Sequence, residues 1–323
     1  MNLPQLWFLT GCTAVGKTDL SLKLAQFLDA EVLSCDSIQV YRGADIGSAK
    51  INLEMRQGIP HHGIDLCDAH ETFDVGQYTK YAQFIIDQMQ KKRKNLLVVG
   101  GTGFYLKSFF APIIDGIRVP EEVRKEVQLL YENSGMAALQ QQIKRYGPVD
   151  LNPSDWNNPL RLISLLGKQR MTGLAQVDLK RNFLQKPCLF DKFSRKVVYL
   201  VRNSASLNQR IEHRVEAMFC NGFIEEVRNL GSVCLPLAKA VGYREVRTYL
   251  DYKETKEALG DISAKTSEKE LKASIVAATR QLVKKQKTWF RQQISVHYSI
   301  NLDEHPFNES FDFIASFCKN SGI

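Results

Sequence analysis

Residues Gly11-Cys12-Thr13-Ala14-Val15-Gly16-Lys17-Thr18 spell G-x-x-x-x-G-K-[ST]. The short apolar run Leu6-Trp7-Phe8-Leu9-Thr10 precedes them. Lys17 to Leu28 follows, with Leu20, Leu24, Phe27 and Leu28 at helical spacing. No other feature of the chain restricts its fold so much. A buried strand, a glycine-rich turn and a helix, in that order, make a phosphate-binding loop. The glycines let the backbone curl until successive amides face one anion, and the helix N-terminus adds the positive end of its dipole. Lys17 brings a mobile cation, and Thr18 brings a hydroxyl able to hold Mg²⁺. By average composition the pattern arises by chance in roughly one in a hundred chains of this length. The loop predicts a bound diphosphate or triphosphate with Mg²⁺ and does not choose between them.

The flanking pattern extends the argument. Glu31-Val32-Leu33-Ser34-Cys35 and Leu96-Leu97-Val98-Val99 read as further buried strands. Asp74 to Lys92 reads as a helix with Tyr78, Tyr81, Ile85 and Met89 inward. Strands alternating with helices predict an α/β fold with a P-loop NTPase-like parallel sheet flanked by helices. From 113 to 190 the pattern is helical only. Pro120 is read as a first helical residue, Tyr146-Gly147-Pro148 as a break, and Asp155 to Met171 as one helix. Strand character returns at Lys196 to Val201. Two long helices, near 204–230 and 267–292, and a strand at Val296 to Leu302 complete the reading. The expected organisation is a split catalytic core, 1–112 and 191–323, carrying an all-helical insertion domain at 113–190.

Hydrophobic residues at 44% and charged residues at 24% exclude a disordered chain, and 20 glycines with no heptad exclude a fibrous rod. The seven cysteines are scattered, with no Cys-x-x-Cys pair, as free thiols of a reducing compartment would be. No window approaches a membrane span, and the first ten residues lack the features of a signal peptide. A cytoplasmic protein without a membrane partner is expected, and as a monomer. Lys and Arg exceed Asp and Glu by 8. That excess suits a polyanionic partner only if the charges cluster. His61-His62 reads as structural, because neighbours on a strand face opposite ways and no third ligand stands nearby.

A P-loop NTPase also needs an acid at the end of an apolar strand. Leu96 to Val99 ends in Gly100-Gly101-Thr102, and the only acid closing an apolar strand is Asp36. A nucleotide kinase is weakened by this. Arg210 and Arg214 lie four apart on one helix and share a face. Ser267-Glu268-Lys269-Glu270 reads as a capping box opening the last long helix. Leu271, Ile275, Ala278, Leu282 and Trp289 are expected on its inner side. Arg280, Lys284, Lys287 and Arg291 follow 4-3-4 spacing on an opposite stripe, with Lys285 beside them and no acid between 280 and 291.

Five stretches, taken in order, resemble the tRNA dimethylallyltransferase (tRNA isopentenyltransferase) family, bacterial type. They are the loop Gly11 to Thr18, the run Asp36-Ser37-Ile38-Gln39-Val40-Tyr41-Arg42-Gly43-Ala44-Asp45-Ile46-Gly47-Ser48-Ala49-Lys50, Pro60-His61-His62-Gly63-Ile64-Asp65, Gly100-Gly101-Thr102-Gly103-Phe104-Tyr105, and Val241-Gly242-Tyr243-Arg244-Glu245. With the basic C-terminal helix they span nearly the whole chain. The resemblance implies transfer of a dimethylallyl group from dimethylallyl diphosphate to N6 of the adenosine 3′-adjacent to the anticodon in tRNA, with release of diphosphate. It implies that the loop holds the diphosphate of an allylic donor rather than ATP.

By resemblance, Asp36 is the general base, Arg214 binds diphosphate with Arg210, and Thr102 contacts substrate. Gly11, Thr13, Ala14, Val15, Gly16, Lys17 and Thr18 form the diphosphate site, with Thr18 on Mg²⁺. Asp36, Ser37, Ile38, Gln39, Thr102, Val241, Gly242, Tyr243 and Arg244 match segments that touch tRNA. On a tRNA-modifying protein, Arg280, Lys284, Lys285, Lys287 and Arg291 become phosphate contacts. Trp289 and the aromatic residues at 78, 81 and 84 are read as packing, and Phe104-Tyr105 as a border of the prenyl pocket. Two departures stand out. Cys12 replaces the family's usual loop proline. In Asn158-Pro159-Leu160-Arg161-Leu162-Ile163-Ser164, Arg161 is kept as an expected tRNA contact, but Leu160 and Ser164 replace polar or basic groups. The competing readings are an adenylate isopentenyltransferase acting on free nucleotides, a small-molecule kinase and a non-catalytic RNA-binding protein.

Overall fold

The computed structural model describes residues 5–258 and 267–321, without the side chains of 254 and 256–258. The chain divides into two compact units. One contains the described residues up to Phe110 and from Phe190 onward, and the other is Ala111–Leu189.

The first unit opens with β1 (Leu6–Gly11), α1 (Lys17–Phe27), β2 (Ala30–Cys35), β3 (His61–His62), α2 (Val75–Lys92), β4 (Asn95–Gly100) and α3 (Gly103–Lys107). The second unit holds α4 (Glu121–Lys144), α5 (Pro153–Trp156), α6 (Pro159–Thr172) and α7 (Gln176–Leu184). The chain then returns with β5 (Arg195–Val201), α8 (Ser204–Cys220), α9 (Phe223–Leu230), α10 (Leu235–Ala238) and α11 (Tyr243–Ala258). It closes with α12 (Glu268–Gln293), β6 (Tyr298–Asn301) and α13 (Phe307–Asn320).

The six strands form one parallel sheet in the order β3-β2-β4-β1-β5-β6. β1 and β2 are buried along their whole length, which is why their sequences are apolar without alternation. One layer of the core joins Trp7, Leu9, Leu20, Leu24, Leu97 and Leu200 with Ile314 of α13. Each such side chain contributes about 1.5–3 kcal/mol on burial. The edges are short: β3 is two residues long and β6 four. A short edge offers little template for pairing with another chain. From β1 the chain moves over β4's place to β2 and β3, returns to β4, then crosses β1 to β5 and β6. That reversal puts a crevice at the carboxyl ends of β1, β4 and β2, where parallel sheets bind ligands. The second unit has its own core of Val127, Leu139, Ile143, Leu162, Ile163 and Leu166 between α4 and α6.

Several elements differ from the sequence reading. The region near 204–230 is two helices, because Gly222 turns the chain with φ of 87° between α8 and α9. The helix expected over Asp155 to Met171 is α5 and α6, each started by its own Asn cap and proline. Pro120 is the N-cap of α4 rather than its first residue, and the same helix is broken at Gly135. α11 lay unassigned because its polar sequence carries little periodic signal. Ala278, Leu282 and Trp289 are only half-buried. The buried side of α12 is Leu271, Ile275, Thr279, Val283 and Phe290. Ser267 and Glu270 do cap α12 reciprocally, at 3.3 and 2.9 Å.

Candidate active site

Every strand end on the crevice delivers a functional group. β1 runs into the phosphate loop, which needs unusual backbone. Gly16 sits at φ of 108°, a left-handed conformation that only glycine adopts freely, and opens α1 there. Ala14 is also left-handed, at φ of 64°. The curl is braced from outside by two arginines. Arg210 Nε donates to the Ala14 carbonyl at 2.8 Å, and Arg202 Nε donates to the Val15 carbonyl at 2.9 Å. Lys17 Nζ donates to the Gly11 and Cys12 carbonyls at 3.0 and 2.9 Å, so its ammonium lies across the loop. Burial lowers its pKa to about 8. Arg214 pushes the same way, while Cys12 and Asp36 oppose the fall.

β2 delivers Asp36 one residue past its end. The carboxylate Oδ1 accepts the Ile38 amide at 2.9 Å, which fixes the turn through Ser37. β4 delivers Thr102, whose hydroxyl accepts the Ser37 amide at 3.0 Å and lies 3.4 Å from the Ser37 hydroxyl. Thr102 and Ser37 thereby tie the ends of β4 and β2 together. From α8, Arg214 reaches the same space and donates to the Gly47 carbonyl at 3.3 Å. Burial lowers its pKa and the nearby Asp36 carboxylate counters this.

Gly47 is itself held tightly. The Glu226 carboxylate of α9 accepts three successive amides, Asp45 at 3.0 Å, Ile46 at 2.6 Å and Gly47 at 3.1 Å, and the Tyr243 hydroxyl at 2.7 Å. A Cβ on Gly47 would come within 2.4 Å of Phe223 and 2.6 Å of Tyr243, so no larger residue fits. Burial and Glu226 raise the Tyr243 hydroxyl well above its ordinary pKa, keeping it a neutral donor.

Two cavities meet at Asp36. The larger, about 490 Å³, is lined by Thr13, Asp36, Ser37, Ile38, Thr102 and Arg214 and by an apolar wall that includes Ile211, Met218, Ile275, Leu282 and Trp289. The smaller, about 70 Å³, is lined by Lys17, Thr18, Ser34, Asp36 and Gln39. Gln39 accepts the Ser34 hydroxyl there at 2.8 Å. Among the described residues no three His, Cys, Asp or Glu group together to hold a metal. A threonine hydroxyl beside a single carboxylate instead suits Mg²⁺, which keeps its waters and leans on substrate phosphate.

The sequence-derived residues separate in this geometry. Gly11 through Thr18, Asp36 to Gln39, Thr102, Arg210, Arg214, Val241 and Tyr243 come together around the cavities or the loop. The Gly242 amide donates to Glu245 at 2.8 Å, and Arg244 pairs with Glu245. Arg161 belongs to the second unit, where it pairs with Asp155. The basic stripe of α12 is not uniform. Lys284 and Arg291 are exposed, Arg280 pairs with Glu212 on α8, Lys287 acts electrostatically on Cys12 of the loop, and Lys285 lines the larger cavity. Its expected position opposite the inner side is corrected accordingly, since two of its members face α8 and the loop.

Phe104 lines the cavity, whereas Tyr105 is buried and stacks on Tyr78 at 4.1 Å. Trp289, read from its spacing as packing, lines the cavity too. His62 Nε2 lies 2.6 Å from the buried Glu31 carboxylate, which Lys92 also reaches at 2.8 Å. Sequence reasoning missed Gln286, Glu226 and Arg202. Gln286 lies inside the basic run and shows no periodicity of its own, and the other two read as ordinary helix or loop charges.

Fold and site together define a nucleotide-kinase-like sheet whose loop faces an apolar cavity, as a prenyl-transferring enzyme requires. The model of the IPP transferase family matches residues 39–293. The chain is 37% identical over 302 residues to the tRNA dimethylallyltransferase of Opitutus terrae, covering 92% of this chain and 93% of that protein. It is 34% identical to the enzyme of that name from Synechococcus elongatus, covering 99% and 98%. Its fold superposes on the full-length tRNA isopentenylpyrophosphate transferase of Bacillus halodurans with a TM-score of 0.69 at 29% identity, covering 98% of this chain and 96% of that one. A eukaryotic dimethylallyltransferase acting on tRNA shares the fold, with a TM-score of 0.77 at 21% identity. The chain belongs to the IPP transferase family, the tRNA dimethylallyltransferases.

Proposed function

We propose that the dimethylallyl group passes from a diphosphate seated in the Gly11–Thr18 loop to the N6 of an adenosine lodged against Asp36. The reaction class, prenyl transfer to tRNA, follows from the family. The observation that carries the assignment is that Asp36 borders both cavities, one beside the phosphate loop and one largely apolar.

The exocyclic amine of adenine is a weak nucleophile because its lone pair is delocalised into the ring. As N6 bonds to the allylic carbon, the Asp36 carboxylate accepts one of its protons. The carbon–oxygen bond of the donor breaks, and its electron pair leaves with diphosphate. Negative charge grows on that group, so donors fixed in advance lower the barrier. Those donors are the loop amides, Lys17 and Arg214, with Arg210 holding the loop in shape. Thr18 would hold Mg²⁺, which supplies further positive charge to the leaving diphosphate. Thr102 and Ser37 orient the adenosine, and the apolar wall around Trp289 and Ile275 shelters the allylic cation character from water.

To reach Asp36 the base must leave its stack, so the acceptor is flipped from the anticodon loop into the cavity. Val241 and Tyr243 border its path. Lys284, Lys285 and Arg291 of α12 contact RNA phosphate, and Arg161 of the helical unit, together with Arg244, is assigned to the same partner. The enzyme is a cytoplasmic monomer in this reading. The test is Asp36→Asn, which keeps an acceptor for the Ile38 amide. Single-turnover prenyl transfer should fall by about 10²–10⁴-fold, while tRNA binding is retained. Near-normal turnover in this variant removes Asp36 as the base.

A further inference from the structure

Of the loop residues, only Thr13 lines the larger cavity; Lys17 and Thr18 line the smaller one. Thr13 therefore stands where the phosphate site opens toward the reacting carbon. Its amide is already engaged. Gln286 of α12 accepts the Thr13 N–H through Oε1 at 2.9 Å and donates through Nε2 to the Gly101 carbonyl at 3.2 Å. The carboxamide thus spans the junction from the β1 loop to the end of β4, and it lines the cavity. A Cβ on Gly101 would come within 3.2 Å of the Gln286 amide nitrogen and 2.9 Å of the Gly11 carbonyl, so the three segments are in close contact there.

We propose that Gln286 makes this phosphate loop selective for a diphosphate over a triphosphate. The proposal rests on the loop being the diphosphate site. A P-loop cradles two phosphates with its amides and its helix N-terminus. On the side where Thr13 opens toward the larger cavity, a third phosphate would enter the junction that Gln286 crosses. There the Thr13 amide it would use is already occupied by the Gln286 carbonyl oxygen. An uncharged allyl group needs no donor at that point and continues into the apolar cavity. Arg214, Lys239 and Lys285 also line the cavity, so charge alone does not bar a third phosphate. The bar is the occupied amide.

The test uses the full chain with Mg²⁺ and calorimetric titration of inorganic diphosphate and inorganic triphosphate. The wild type, Gln286→Ala, Gln286→Met and Lys17→Ala are compared. Freeing one donor to an anionic oxygen should tighten triphosphate binding by about tenfold in Gln286→Ala. Diphosphate binding should change by less than about threefold, well below what a bond to a charged group contributes. Gln286→Met keeps the bulk and frees the amide, so it should show a smaller gain in the same direction and serves if the alanine variant folds poorly. An unchanged triphosphate-to-diphosphate ratio in both Gln286 variants overturns the proposal. If Lys17→Ala leaves diphosphate binding intact, the loop assignment itself fails and takes the proposal with it. Loss of binding in Lys17→Ala with an unchanged ratio in the Gln286 variants overturns the proposal alone.

Discussion

Lys17 shows how one residue's environment sets a measurable property. Its ammonium is enclosed beside Arg214 and held by two loop carbonyls, and burial brings its pKa down to about 8. The folded pKa lies below the ordinary lysine value of 10.5, so the free protein binds fewer protons than the unfolded chain between about pH 8 and that value. Lys17 therefore opposes folding below that window, and the penalty is relieved as pH rises through it. A bound diphosphate restores the charge. Titrating diphosphate near pH 8.5 in buffers of different ionisation enthalpy should show net proton uptake, and uptake should vanish in Lys17→Met. Equal apparent enthalpies across buffers would contradict the assignment. At this scale the sequence was legible where a residue belongs to a fixed motif. Gly11 to Thr18, Asp36 and Thr102 were named from their places at strand ends, and they converge. Glu226 and Gln286 were not, because their importance lies in which backbone amides they reach across gaps of 180 and 273 residues. No local pattern encodes such a pairing.

Among the elements, α12 does the most varied work. One side packs through Val283 and Phe290, a second lines the cavity through Ile275, Leu282 and Trp289, and a third carries exposed cations. The 4-3-4 spacing put Arg280, Lys284, Lys287 and Arg291 on one stripe, but Arg280 pairs with Glu212 and Lys287 acts on the loop. Lys284 and Arg291 are the clean probes. Reversing both to Glu should raise the KM for tRNA and flatten its salt dependence, each lost phosphate contact removing about one unit of the logarithmic slope. The KM for dimethylallyl diphosphate should hold. An equal rise in both KM values would place these residues in the donor site instead. Element boundaries were read less well than element types. The breaks at Gly222 and between α5 and α6 depend on turn residues within apolar patterns that look continuous, and α11 has too polar a sequence to stand out.

At the scale of the whole molecule, the excess of 8 positive charges is divided. Lys17, Arg202 and Arg210 bond to carbonyls of the Gly11–Thr18 loop and Arg214 to that of Gly47, while Lys284, Lys285 and Arg291 of α12 are exposed and, in the proposed function, meet the polyanion. The sheet was legible because its central strands are continuous apolar runs, whereas the order β3-β2-β4-β1-β5-β6 is set by long-range pairing that no local pattern encodes. The helical unit was legible as helical, but its internal breaks were not. Among the described residues no helix is long and apolar enough to cross a membrane. The central claim is that this sheet, loop and cavity serve an RNA acceptor. It is tested most directly by offering one preparation labelled dimethylallyl diphosphate with either an anticodon stem-loop carrying adenosine 3′ of the anticodon or with AMP, ADP and ATP. The account predicts label on the RNA, lost when that adenosine is replaced, and none on the free nucleotides. Label on the nucleotides alone would contradict it.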